Sequence, residues 1–340
     1  MTLITTLIPA YKKDYLAELF LGLRHQTCKD FKVILSDDSP DDEITRLIRD
    51  GHYAALLSKL DLTVVRGPKN ARKNHQQLLD LWGGKTPLVH FNLDDDLIYP
   101  DFYRVHAAAH ALGGYAASVS RRWLSGSDGR PSIDLPIPDF IAEPNQRIVD
   151  IDTAGLFGST VAVCENWLGE LSNMVLSVDG ARHYPQPPAD GVSYYGLLDI
   201  GLLLDASRHL PIAFIHDHLS VFRQNPQQTT HNVKSHGGRV AFLCWVTYAL
   251  AAWKEQRISA AQAVQAVGIA TRRIIAHYAD DEIMAGYLDL LEKNSSGLEQ
   301  LHAAFAPFWT RLLASNIGTR PSTAQPDGAA AGTAREALAV

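Results

Sequence analysis

Cysteine is scarce in this chain of 340 residues, which has only three: Cys28, Cys164 and Cys244. They are odd in number and far apart in sequence, and none has the close second cysteine of a zinc or redox motif. The sequence therefore predicts three buried thiols in a reducing cytosol.

Long hydrophobic runs are also missing. The longest apolar stretch, residues 240–253, is shorter than the roughly 20 residues that cross a bilayer, so it predicts either a core helix or an interfacial helix. Residues 1–9 have no basic segment and no cleavage site, and they read as a strand rather than a signal peptide. We therefore expect a cytoplasmic protein, with peripheral contact at the inner membrane face left open.

Positively charged residues are fewer than negatively charged ones. The chain has 31 Lys and Arg and 37 Asp and Glu, which gives a formal net charge of −6. No basic block with interleaved aromatic residues occurs, so nucleic acid is not an expected partner. The chain is 46% hydrophobic and 20% charged, which is ordinary for a globular enzyme with one large domain and a smaller one.

What the chain does have is a regular alternation of strand-like and helix-like segments before residue 100. This alternation predicts a parallel sheet with helices on both faces. In such sheets ligands bind beyond the carboxyl ends of the strands. The predicted strands cover residues 3–8, 31–36, 62–66 and 88–93, and the predicted helices cover residues 16–26, 41–57 and 71–82.

The pattern is less regular further along the chain. Residues 124–147 are rich in Pro, Gly, Asp and Ser and predict a loop or insertion. Helices are predicted over residues 165–176 and 199–208, and a strand over residues 212–215.

Three adjacent carboxylates, Asp94, Asp95 and Asp96, follow the fourth predicted strand. Such neighbours repel one another by on the order of 1 kcal/mol per pair even in water, so a strand end that holds them usually has a compensating cation. Oxygen ligands suit Mg²⁺ or Mn²⁺, which complete their shells with water and substrate phosphates. The triplet therefore indicates a metal-assisted nucleotide site. The alternative is a solvated acidic turn that caps the next helix.

Several motifs, in order along the chain, resemble those of glycosyltransferase family 2. Residues 6–12 resemble the family's first strand and its Pro-x-Tyr-Asn turn, with Lys12 in the place of Asn. Residues 33–42 resemble its second strand and Asp-Asp-x-Ser-x-Asp turn, and residues 94–96 stand at its Asp-x-Asp element. The resemblance spans residues 3–231. It implies the α/β GT-A fold, which is Rossmann-like with a mostly parallel sheet flanked by helices, here with a C-terminal helical appendix.

The resemblance also implies a division of the chain. Residues 1–237 would form the glycosyltransferase domain, with the donor half ending near residue 100 and the acceptor and base half following it. Residues 238–316 would form a helical region, and residues 317–340 a disordered tail. Three roles for the helical region stay open: formation of a homodimer, cover for the acceptor, and contact with a membrane.

The expected reaction is an inverting, metal-dependent transfer of a sugar from a nucleoside-diphosphate sugar. A UDP-sugar is the favoured donor, and the acceptor is a hydroxyl of a glycan or lipid-linked glycan, as in surface polysaccharide synthesis. Asp199 stands where the family has its catalytic base, although Leu198 replaces the usual preceding acid. The residues expected at the donor nucleotide are Pro9, Tyr11, Asp38, Arg72, Asp94, Asp95 and Arg223.

The resemblance further implies a bound Mn²⁺ or Mg²⁺. Asp94 and Asp96 would face the donor together, with Asp96 as the direct ligand. Asn225 stands where the family often has a metal-binding histidine. The candidates to replace it are His218, in first place, then His216 and His231.

Two other classes of protein share parts of this pattern. A sugar nucleotidyltransferase would carry a glycine-rich, basic phosphate loop after the first strand, and residues 9–13 do not have that composition. A catalytically inactive GT-A protein would serve as a sugar-nucleotide-binding or scaffold module. Retention of the acidic triplet and of Asp199 favours the enzyme. For Asp38 and Asp199 the alternative interpretation is a helix N-cap without chemistry.

Overall fold

The structure is a computed structural model that describes residues 2–142, 146–189, 191–224 and 233–315. Within these ranges, strands and helices alternate up to the acidic triplet, as the sequence predicts. The strands are β1 (Ile4–Ala10), β2 (Phe31–Asp37), β3 (Leu62–Arg66), β4 (Leu88–Phe91), β5 (Leu97–Ile98), β6 (Ala117–Ser125), β7 (Pro131–Asp134), β8 (Ile148–Ile151), β9 (Met174–Ser177) and β10 (Ile212–Arg223). The α-helices are α1 (Leu16–Arg24), α2 (Glu43–Arg49), α3 (Ala54–Leu57), α4 (Ala71–Trp82), α5 (Phe102–Leu112), α6 (Thr153–Ser159), α7 (Val178–Ala181), α8 (Leu198–Ala206), α9 (His236–Lys254), α10 (Ala260–His277), α11 (Glu282–Lys293) and α12 (Leu298–Ala314).

The strands form one sheet in the order β3-β2-β1-β4-β9-β6-β10-β5, with β7 paired to β6 and β8 to β10. β1 is parallel to β2 and β4, and β2 is parallel to β3. β9 is antiparallel to both β4 and β6, so β6 and its parallel partner β10 run in the direction of β4. The carboxyl ends of β1, β2, β4, β6 and β10 therefore lie at one edge of the sheet. The predicted α/β fold with a mostly parallel sheet is confirmed.

The core of this sheet follows from the sequence pattern. Apolar residues of α1 recur at helical spacing, and Leu16, Leu19, Phe20 and Leu23 are all buried. They join the cluster that includes Ile4 and other residues of β1. Each buried side chain of this size contributes on the order of 2 kcal/mol.

Some sequence predictions are wrong in detail. Residues 165–176, predicted as a helix, contain a short 3₁₀ turn at Leu171–Asn173 and the start of β9. Residues 41–57 form the two helices α2 and α3 instead of one. Residues 124–147, predicted as a loop or insertion, contain the short and mostly exposed strand β7. Cys28 is only half-buried, whereas Cys164 and Cys244 are buried as expected.

The chain divides into two compact units. The first consists of Met1–Asp152, Trp167–Tyr184 and Leu202–Asn225, and it contains the whole sheet. The second consists of Thr153–Asn166, Pro185–Gly201 and Pro226–Val340.

Within the second unit, α10 and α12 pack against α9, and α11 packs against α12. Residues 240–252 of α9 are buried, which agrees with the prediction of a core helix there. No helix in the described part of the chain is long and apolar enough to cross a membrane. The predicted tail, residues 317–340, lies outside the described residues.

Candidate functional site

The acidic triplet lies at the carboxyl edge of the sheet, just after β4. Its three side chains are almost fully buried, with exposed fractions of 7% for Asp94, 7% for Asp95 and 1% for Asp96. Burial of three carboxylates is costly unless each finds a donor or a cation. The partners of each carboxylate therefore show what the site is built to hold.

Asp94 is held by the turn that follows β1. Its Oδ2 accepts hydrogen bonds of 2.6 Å from the backbone N–H groups of both Tyr11 and Lys12. Burial raises the pKa of Asp94 to about 6, although these two hydrogen bonds act in the opposite direction. The parallel pairing of β1 with β4 brings the turn to this position.

Asp95 has an internal cation as its partner, because the Nζ of Lys12 lies 2.5 Å from its Oδ2. Burial lowers the pKa of Lys12, but the hydrogen bond to Asp95 and its charge outweigh this effect and leave the pKa above its ordinary value. Lys12 thus compensates one charge of the triplet.

Asp96 is the carboxylate that remains open to a further ligand. Its Oδ1 accepts a 3.1 Å hydrogen bond from the backbone N–H of Arg223. Its Oδ2 is buried and accepts no hydrogen bond from the backbone. Burial, and then the charge of Asp95, hold the pKa of Asp96 well above its ordinary value, although a hydrogen bond with the Ser172 side chain acts in the opposite direction. A buried carboxylate with so few donors fits a hard cation such as Mg²⁺ or Mn²⁺.

Arg223 closes the triplet from the end of β10. Its side chain is 1% exposed, and its Nε donates to the carbonyl oxygen of Asp95 at 2.8 Å. Its guanidinium also donates to the carbonyl of Ser127, pairs with Glu18 and lies 4.1 Å from the ring centroid of Tyr15. These contacts tie the guanidinium to the protein beside the triplet. Its predicted contact with the donor diphosphate stays a prediction.

The residues predicted for the nucleotide lie along the same edge. Pro9 is in β1, and Tyr11 follows it with a side chain that is 52% exposed. Asp38 follows β2 and is 7% exposed, and Arg72 lies in the first turn of α4 and is half-buried. The sheet topology places Pro9, Tyr11 and Asp38 at the ends of two neighbouring strands. The contact of each with a nucleotide stays a prediction.

Asp38 is oriented by the loop after β3, which the sequence did not reveal. Its Oδ1 accepts a hydrogen bond from the backbone N–H of Lys69. A Cβ on Gly67 would stand only 2.6 Å from the same oxygen, so the approach requires glycine. The neighbouring Asp37 accepts hydrogen bonds from Ser39 and from the N–H of Thr45, which fixes the turn. Asp38 is therefore held where the loop after β2 meets the loop after β3.

The histidine predicted as a third metal ligand has other partners. His218 Nε2 lies 2.8 Å from Asp134 Oδ1, and its ring stacks on Trp123 with a centroid distance of 4.1 Å. Among the described residues, no group of three or more His, Cys, Asp and Glu side chains could hold a metal ion. The contacts of His218 therefore lend no support to a metal-binding role. Asn225 and His231 lie outside the described residues.

The predicted base, Asp199, lies in the second unit. It occupies the first turn of α8, where the helix dipole favours a negative charge. Its Oδ1 accepts a 2.8 Å hydrogen bond from the N–H of Ile200, and the Asn166 side-chain amide donates to its Oδ2 at 3.4 Å. Because α8 begins at Leu198, Asp199 lies within the helix rather than at its N-cap. A catalytic role for it stays a prediction.

The sheet and its flanking helices form a GT-A-like fold, and comparison with known proteins supports this fold class. Residues 5–160 match the family model described as Glycosyl transferase family 2. The matched region runs from β1 to the end of α6. No curated protein sequence matches the chain significantly.

Solved structures of S. aureus TarS share the fold. TarS 1–349 in complex with UDP-GlcNAc is 14% identical, with a TM-score of 0.58 over 92% of this chain and 91% of that chain. TarS 1–349 in complex with UDP is 13% identical, with a TM-score of 0.54 over 96% of this chain and 95% of that chain. A longer TarS chain has the same identity of 13% and TM-score of 0.54, over 93% of this chain and 53% of that chain.

Proposed function

We propose that this protein is an inverting, metal-dependent glycosyltransferase that uses a nucleoside-diphosphate sugar. A UDP-sugar is the first candidate donor, and the acceptor is a hydroxyl group of a glycan or lipid-linked glycan, as in the synthesis of surface polysaccharides. The observation that carries the proposal is the arrangement of the triplet. Asp94 is fixed by two backbone amides, while the buried Oδ2 of Asp96 accepts no hydrogen bond from the backbone.

The residues that would hold Mn²⁺ or Mg²⁺ are Asp96, as the direct ligand, and Asp94. When bound, the metal ion stabilises the charge that develops on the departing diphosphate. Asp94 Oδ2 already accepts two hydrogen bonds. Asp96 is therefore the stronger candidate, and water and phosphate oxygens would supply the remaining ligands.

The nucleoside is assigned to the ends of β1 and β2 and to Arg72. Tyr11 offers an exposed ring against which a base can stack, and Pro9 precedes it. Asp38, fixed by the Lys69 amide, can accept a hydrogen bond from the base or the ribose. The TarS structures hold UDP-GlcNAc and UDP, which supports testing uridine donors first.

Asp199 is assigned the role of general base. Its carboxylate takes the proton of the acceptor hydroxyl as the acceptor oxygen bonds to the anomeric carbon and the bond to the diphosphate oxygen breaks. The anomeric configuration inverts in this single displacement. The side-chain amide of Asn166 helps to orient the carboxylate.

Thermal shift with UDP-, GDP-, dTDP- and CMP-linked sugars, each with and without Mn²⁺, tests the donor site. One donor class is expected to stabilise the wild type only with Mn²⁺, and Asp96→Ala should lose this response. Asp80→Asn, which alters a carboxylate that pairs with Gln76 on α4, is the control and should keep it. Absence of any donor response would contradict the proposal.

Release of the nucleotide from the stabilising donor, measured with water alone and with added glycan acceptors, tests turnover. Asp199→Asn should keep the donor-induced thermal shift but lose UDP release. A wild type that binds the donor but releases nucleotide neither with water nor with any added glycan acceptor would instead favour an inactive sugar-nucleotide-binding protein.

A further inference from the structure

Two adjacent hydroxyl side chains of α9 bind the segment that leads into α8. The Thr247 hydroxyl accepts a 3.1 Å hydrogen bond from the N–H of Ser193 and donates to the carbonyl of Ser193 at 3.2 Å. The Tyr248 hydroxyl accepts a 2.9 Å hydrogen bond from the N–H of Leu197 and donates to the carbonyl of Leu197 at 3.0 Å. Each hydroxyl thus satisfies both backbone groups of one residue.

The same segment lies directly on α9. A Cβ on Gly196 would stand 2.3 Å from the Cβ of Cys244, so the backbone can approach the helix this closely only at a glycine. Thr247 and Tyr248 are both 0% exposed. Hydrogen bonds to buried hydroxyls in such a close-packed setting leave the segment little freedom to shift.

Asp199 is two residues beyond Leu197, in the first turn of α8. We propose that Thr247 and Tyr248 are positioning residues that set the place of the Asp199 carboxylate. This inference rests on the proposed function, in which Asp199 takes the acceptor proton. A base works only within hydrogen-bond reach of the proton it takes, and a misplacement of about 1 Å can cost about 100-fold in rate. The C-terminal helices would then serve the reaction through α9.

Removal of each hydroxyl with little change of shape tests the inference. Tyr248→Phe and Thr247→Val are expected to lower kcat for UDP release from UDP-GlcNAc at least ten-fold, measured with Mn²⁺ and with water as the acceptor of the sugar. The KM for UDP-GlcNAc should stay within two-fold of wild type. Thr247→Ser, which keeps a hydroxyl, should recover most of the loss. Thr247→Val tests the inference independently if Tyr248→Phe does not fold.

Tyr287→Phe is the matched control. It removes another fully buried tyrosine hydroxyl of the second unit, one that lies 2.8 Å from the hydroxyl of Thr271 in α10. Its kcat should stay within two-fold of wild type. Equal losses in Tyr287→Phe and Tyr248→Phe would overturn the inference, because the effect would then come from general destabilisation.

Amide hydrogen exchange measures how firmly Thr247 and Tyr248 hold the segment before Asp199, and it needs no turnover. Tyr248→Phe and Thr247→Val should speed exchange over residues 193–199 at least ten-fold, and Tyr287→Phe should not. Unchanged exchange in both variants, or unchanged kcat in both, would overturn the inference. If the Asp199→Asn variant releases UDP at the wild-type rate, the proposed role of Asp199 is overturned, whatever the exchange data show about Thr247 and Tyr248.

Discussion

The ammonium group of Lys12 lies 2.5 Å from the carboxylate of Asp95, inside the cluster of acids that we assign to the metal and donor. The charges of Asp94 and Asp96 also act on this ammonium group. The protein therefore supplies one positive charge of its own to the acidic triplet. A divalent ion that binds there must share the triplet with this lysine.

Replacement of Lys12 by Met should tighten Mn²⁺ binding. Loss of the ammonium group removes a like charge beside the proposed metal site, and at a partly buried position such a charge is worth on the order of 1 to 4 kcal/mol. We expect the Kd for Mn²⁺, measured by calorimetric titration, to fall about ten-fold. Lys13→Met is the control, because Lys13 pairs with Glu43 at 2.6 Å instead. Equal Kd values for the wild type and Lys12→Met would show that Lys12 does not compete with the metal.

Arg223→Met should destabilise the first unit strongly. The substitution leaves the carbonyls of Asp95 and Ser127 without the guanidinium that binds them and removes the partner of Glu18. Loss of such buried, charge-assisted bonds costs about 3 kcal/mol. Chemical unfolding measures this change. Arg130→Met, at an arginine whose side chain is 88% exposed, should stay within about 0.5 kcal/mol of wild type. Equal stabilities for the two variants would contradict the structural role of Arg223.

His90 should make the protein less stable as the pH falls. The residue is fully buried, with its Nε2 lying 3.0 Å from the Ser172 carbonyl oxygen, and burial lowers its pKa to about 3. Because the unfolded chain binds a proton near pH 6.5 and the folded protein does not, stability is complete above that pH. It declines between about pH 6.5 and 3 by up to about 1.4 kcal/mol per pH unit.

The variant His90→Gln isolates this contribution. Its free energy of unfolding, measured in urea at pH 7.5, 6.0 and 5.0, should fall less steeply with decreasing pH than that of the wild type. Below pH 6.5 the two curves should therefore approach each other. Parallel curves would show that His90 is not kept neutral by folding.

Gly180→Ala should be severely destabilising. A Cβ at Gly180 would stand 1.9 Å from the carbonyl oxygen of Ala116, and neither backbone can move without disturbing β6 and β9. Overpacking of this kind costs about 1 to 3 kcal/mol or more. Gly114→Ala provides the comparison, because no atom lies within 4 Å of the added Cβ. Thermal unfolding of both variants decides the point, and equal melting temperatures would show that the packing at Gly180 is loose.

The regular alternation before residue 100 allowed a correct prediction of the fold class, because each parallel strand is a local apolar run with a turn at its end. β9 could not be identified in the same way. Its residues Met174, Val175 and Leu176 are all buried, and a short buried run has no periodicity that separates a strand from a helix. β9 pairs with β4 and β6, whose residues are far from β9 in the sequence.

The sequence by itself determined the acidic triplet, the turns that end β1 and β2, and hence the edge of the sheet where we propose the donor site. The tertiary structure alone decided how those residues are used. It showed that Lys12 pairs with Asp95, that Arg223 is bound to the protein, and that Thr247 and Tyr248 hold the segment before Asp199. The physical reason is the separation along the sequence of the groups that interact. Strand ends and turns are specified by neighbouring residues, whereas these contacts join side chains to groups tens or hundreds of positions away, which no local pattern records.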